Sequence, residues 1–280
     1  MNASILRAAE ETPFLRGRRV RRYNPLAWIF GLMAITLAPG AIMLDPAWVA
    51  AGGAVLIAGV VLLLVHTSRA ARKNNRAVAR LMSGDDEGAA PAFVELATER
   101  RPRDVVVIAL MNLGVIALRR CDFASAARLL AASVECAGGF RLAMVPDLMS
   151  GLARSHLALA LAAVGDLDGA KREIRATHTQ PTLAPAIAYA ARARAYVSLR
   201  EGQLAATLQT LDAERALLRN VLTGRESALA QAIEAVALGK MQELHAAAPR
   251  APEPVLVDPD ERAFVLAVLP EAQPWLVLER

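Results

Sequence analysis

Cysteine is nearly absent: Cys121 and Cys136 are the only two, and no C-x-x-C occurs. That excludes a disulfide framework and a thiolate zinc site, and it leaves two reduced thiols acting as small apolar side chains. The four histidines, His66, His156, His178 and His245, have no metal-ligand spacing, and none lies in H-E-x-x-H. There is no P-loop, no G-x-G-x-x-G and no G-x-S-x-G. Acid pairs such as Asp85-Asp86 and Asp166/Asp168 stand beside turns, where capping and solvation account for them. No metal, no cofactor and no enzymatic activity are expected. Lysine is scarce (Lys73, Lys171 and Lys240) and alanine abundant, the usage of a GC-rich bacterial genome.

What is plentiful is apolar surface. Hydrophobic residues make up 55% of the 280, and the 21% of charged residues excludes disorder throughout. Leu26 to Val65 contains one charge, Asp45. Leu26–Leu44 and Ala47–Val65 are each 19 residues long, close to the ~20 that a helix needs to cross a bilayer, and Asp45-Pro46 is a turn between them. The sequence therefore predicts a transmembrane helical hairpin over 25–66. The competing reading, a cleaved signal peptide, does not account for the second run and its basic flank.

Charge sets the orientation. Ten Lys/Arg against three acids give residues 1–76 a charge of +7, so the other 204 carry −2 toward the total of +5. Arg18, Arg19, Arg21 and Arg22 precede the first span, and Arg69, Arg72, Lys73 and Arg76 follow the second. The positive-inside rule then places the tail 1–24 and everything beyond residue 66 in the cytosol, at a bacterial inner membrane. Those eight cations are candidate contacts for anionic lipid headgroups, the second four on a juxtamembrane helix over 67–83. Nucleic-acid binding is not expected, because the excess charge flanks the apolar block and is not spread over a folded domain. Small residues four apart, Ala27/Gly31 and Ala50/Ala54/Ala58, suit close helix packing, either within the hairpin or in a homo-oligomer.

From residue 84 one box recurs: Gly84-Asp85 with Ala89, Cys121-Asp122 with Ala126, Gly165-Asp166 with Ala170, and Gly202-Gln203 with Ala206, the last one place off register. The intervals of 37, 44 and 37 residues fall in the range of helical-hairpin arrays. A small residue turns the chain, a polar one caps the next helix, and a small Ala lets the two helices approach. These residues resemble the tetratricopeptide repeat. Leu113-Gly114 takes the family's Leu-Gly site, Ala126 and Leu130 its second-helix positions, and Leu157, Gly165, Ala170 and Ile174 repeat them. The resemblance covers about 160 residues. The fold class expected is all-α, with a two-helix transmembrane hairpin and then a cytosolic α-solenoid of about three to four helical hairpins over 84–248.

The resemblance implies a groove that binds proteins. In the register set by Gly202, Ala186–Arg200 is the groove-lining helix, and Tyr189, Arg192, Tyr196 and Arg200 fall within about 80° of one of its faces. Arg119 joins them from an earlier unit. Guanidinium groups beside tyrosines suit an acidic or carboxylate-ending peptide, and Arg192 and Arg200 are expected to be replaceable without loss of stability. The alternative is tyrosines packed between repeats beside solvated arginines. Six prolines punctuate 249–280, a tail that either caps the last repeat or binds a partner. The function expected is a membrane-anchored scaffold that recruits protein partners. The runner-up is a membrane-active oligomer whose repeats control assembly.

Overall fold

The computed structural model describes residues 68–98, 103–137, 144–178, 184–244 and 249–279, and these are mostly helical. The expected spans and the tail 1–24 lie outside the described residues. Among the described residues, no helix is long and apolar enough to cross a membrane.

Helices come in pairs. The first pair is α1 (68–82) and α2 (Asp86–Thr98), then α3 (Arg103–Arg119) and α4 (Phe123–Ala137), then α5 (Met144–Ala163) and α6 (Leu167–His178). Next come α7 (Ala184–Arg200) and α8 (Leu204–Ala213), a short α9 (Arg215–Val221), and α10 (Arg225–Glu243). The chain divides into two units, Met1–Ala109 and Leu110–Arg280, with the division inside α3.

The joints of the four pairs share one geometry, and sequence dictates it. Gly84, Cys121, Gly165 and Gly202 all have positive φ, from +61° to +93°. At each, the N–H of this residue donates to the carbonyl three residues earlier and the next N–H to the carbonyl five residues earlier, as Gly165 to Ala162 (3.1 Å) and Asp166 to Leu161 (2.9 Å). This left-handed closure satisfies carbonyls that the helix end leaves open. The Asp then caps the following helix: Asp85, Asp122 and Asp166 accept from the N–H of Gly88, Ser125 and Gly169 at 2.8–3.1 Å. A Cβ on Gly169 would meet Asp166 Oδ2 at 2.2 Å, so a small residue four places after the turn belongs to the box. Cys121 holds the left-handed conformation without being glycine, at a cost of roughly 1–2 kcal/mol.

The fourth pair is off register by one place, as read from sequence, and the first hairpin differs from that reading. The residue five places after the turn is Ala89, Ala126 and Ala170, each fully buried, and in the fourth pair it is Thr207. Ala206 takes the preceding, capping-side place, and the buried Thr207 hydroxyl donates to the Gln203 carbonyl at 3.1 Å. The first hairpin also begins earlier than residue 84. Ala70, Ala77 and Leu81 of α1 are buried, and Lys73 ion-pairs with Glu95 of α2. Gly84 is the middle of a hairpin, so the segment read as a juxtamembrane helix is its first arm.

In the second unit, α5 packs on α4, α6 and α7, and α7 packs on α8 and α10. First helices thus lie against first helices, and α10 takes that place after α7. Gly114 makes room for Leu130, whose Cγ would lie 2.5 Å from a Cβ there. The tail departs from an all-α fold. Val255–Val257 (β1) pairs in parallel with Leu276–Leu278 (β2), with Val255 opposite Leu276 and Val257 opposite Leu278. Between them runs α11 (Pro259–Val268), started by a capping box in which Glu261 N–H donates to Asp258 Oδ1 (2.7 Å) and Asp258 N–H donates to Glu261 Oε2 (3.0 Å). A 3-10 turn, Pro270–Trp275, follows, and Trp275 lies against Gly239 of α10.

Candidate binding surface

The spacing on α7 holds as helix geometry, but its neighbours decide what that face meets. Arg192 has 0% exposure and ion-pairs with Glu226 in the first turn of α10. Its guanidinium lies 5.1 Å from the centre of the Tyr189 ring, within cation–π range. Tyr189 in turn stacks against His156 of α5, with ring centres 4.3 Å apart and planes tilted by 42°. One turn further along, Tyr196 is fully buried and donates its hydroxyl to the Val268 carbonyl at 2.7 Å. Arg200, which is exposed, donates to that hydroxyl at 3.1 Å. Arg119, half-buried, accepts through its carbonyl from Arg225 Nη1 at 3.4 Å.

The five residues read from sequence therefore reach two places. Arg119, Tyr189 and Arg192 gather with His156 and Glu226; Tyr196 and Arg200 sit with Val268 of the tail. The expectation that Arg192 and Tyr196 line an open groove is corrected: α10 and the tail cover both. The cause is their apolar company, since α10 buries Leu229, Ile233 and Val236 and the tail buries Phe264, Val265 and Val268 in the same core. Of the headgroup candidates, Arg69, Arg72 and Arg76 are exposed on α1, whereas Lys73 is ion-paired with Glu95 within the hairpin. Arg18, Arg19, Arg21 and Arg22 lie outside the described residues.

Burial pulls the His156 pKa down to about 3, helped by the charges of Arg192 and Arg119, so the ring is neutral at physiological pH. Burial also lowers Arg192, to about 10, and that group stays cationic. Burial pushes the Tyr196 phenol up, against the Arg200 hydrogen bond. Apart from the Arg192 Nη1–Glu226 Oε2 ion pair, several buried polar atoms here make no hydrogen bond: His156 Nδ1 and the Nε and Nη2 of Arg192. Asn112 Nδ2 on α3 is likewise buried without one. A desolvated guanidinium between an aromatic face and a carboxylate has the chemistry to pair with carboxylates.

His156 and Glu226 escaped sequence reasoning. The signals were a Ser155-His156 pair inside an otherwise apolar stretch and an acid two places after a turn glycine. A concavity of about 570 Å³ lies between α8–α9, α10 and residues 250–255. Arg215 and Arg250 both pair with Asp212 and Glu234 along it, and the Arg215 hydrogen bond holds Asp212 below its usual carboxylate range. These charges come from three separated places in the chain, Asp212/Arg215, Glu234 and Arg250, so no motif marks them.

Among the described residues, no group of three or more His, Cys, Asp and Glu side chains could hold a metal ion. Comparison with protein-family models, with curated proteins and with solved structures found no match for this chain.

Proposed function

We propose that this protein is a membrane-anchored helical-repeat scaffold, tetratricopeptide-like in its repeats, that gathers protein partners at the cytosolic face of a bacterial inner membrane. The observation that carries the reading is the recurrence of one joint geometry at Gly84, Cys121, Gly165 and Gly202. Within the second unit, hairpins stacked first helix to first helix generate a continuous surface, the usual purpose of such arrays. The apolar runs over 25–66 supply the anchor, and the exposed Arg69, Arg72 and Arg76 suit anionic headgroups. The Arg119, Tyr189 and Arg192 cluster and the exposed Arg200 favour an acidic or carboxylate-ending partner.

Co-purification from gently solubilised membranes tests this. Distinct soluble proteins, recovered in amounts comparable to the bait and released by salt, are the expected result. A large assembly of this chain alone, conducting ions in planar bilayers, favours instead a membrane-active oligomer.

A further inference from the structure

We propose that Glu226 is a resident carboxylate latch on Arg192, and that a partner's carboxylate binds by displacing it and so loosening the start of α10. The proposal rests on the reading of Arg192 as part of a carboxylate-binding surface.

The argument begins with Arg192. Its side chain has no exposed surface, and apart from the Glu226 contact none of its three guanidinium nitrogens is hydrogen-bonded. A buried guanidinium with donors to spare is costly, and what offsets that cost is a carboxylate. Among the described residues Glu226 is the one present; the Oε2 that meets Arg192 is buried, but the side chain as a whole keeps 20% of its surface exposed, so solvent reaches the pair only along Glu226. An incoming carboxylate therefore approaches where Glu226 already sits. Two carboxylates at hydrogen-bonding distance on one guanidinium, in a poorly hydrated site, repel each other strongly. Exchange is thus favoured over addition. Tyr189, at 5.1 Å, and the neutral His156 beside it offer the newcomer an aromatic wall.

Release of Glu226 has a path to the rest of the unit. It belongs to the first turn of α10, which starts at Gly224 with φ +51°. The adjacent Arg225 holds the Arg119 carbonyl at 3.4 Å and Asp260 of α11 at 3.2 Å. The same turn thus ties α7, the end of α3 and the tail, and an occupant of Arg192 weakens all of these ties together.

The test uses the purified full-length chain in detergent, wild type and Glu226→Gln. The probes are two octapeptides: one rich in Glu with an amidated C-terminus, the other with Gln in place of Glu and a free C-terminal carboxylate. The latch predicts that the variant binds at least one probe about tenfold or more tightly than wild type. Which probe gains identifies a side-chain or a terminal carboxylate as the ligand. Hydrogen exchange in wild type should become faster at residues 224–228 when that probe binds. Should Glu226→Gln fail to fold, Glu226→Asp keeps the charge with a shorter reach, and a several-fold gain is expected. Equal affinities in wild type and variant, or slower exchange at 224–228, overturn the latch but leave the surface standing. No binding of either probe to either protein overturns both.

Discussion

Replacing Arg192 with alanine is expected to cost the fold about 3–5 kcal/mol, the typical penalty for breaking a buried pair by removing one partner. The substitution strands Glu226, removes the cation over Tyr189 and opens a cavity between α7 and α10. Arg200→Ala serves as the control. Arg200 is exposed and donates to the Tyr196 hydroxyl, so a change of about 0–1 kcal/mol is expected. Urea unfolding of both variants at pH 7.5 separates them. Equal midpoints would mean that Arg192 is solvated, and the groove as read from sequence would be restored.

Ending the chain before Pro249 is expected to have a still larger effect. Val255, Val257, Phe264, Val265, Val268, Leu269, Ala272 and Leu276 are all buried in the core that α7 and α10 share. Burial of each large side chain is worth about 1.5–3 kcal/mol, so their joint loss exceeds what a marginally stable domain can spare. Tyr196 also loses its acceptor at Val268. Circular dichroism of 68–280 and 68–248 is the measurement, starting at residue 68 because a later start cuts into α1. The shorter fragment should melt at least about 10 °C lower or lose its cooperative transition, with α10 fraying first. Identical melting curves would show that the tail does not act as a cap.

The hairpin joints were legible because their physics is local. A left-handed residue wants glycine, and the next helix wants an acceptor at its start, so Gly165-Asp166 declares itself without reference to distant residues. Gly88, Ser125 and Gly169 carry an equally local requirement, the space for the capping carboxylate. The first arm of the first hairpin is weakly marked, because α1 displays basic residues and only Ala70, Ala77 and Leu81, spaced along one side, carry its packing. The binding residues were legible only in part. Spacing put Tyr189, Arg192, Tyr196 and Arg200 on one face, but burial depends on α10 and α11, which come later in the chain and leave no mark on α7. Strands of three residues in the tail are too short for alternation to reveal, and their parallel pairing depends on α11 between them.

The claim that this unit binds a partner through the α7 face can be tested in place. A photo-crosslinking amino acid at position 200, exposed at the end of α7, should report what meets that face in intact membranes. The account predicts adducts with one or a few soluble proteins, competed by the acidic probe peptide and absent when the crosslinker is moved to the exposed position 172 on α6. Adducts confined to this chain or to lipid, unchanged by the peptide, would contradict it.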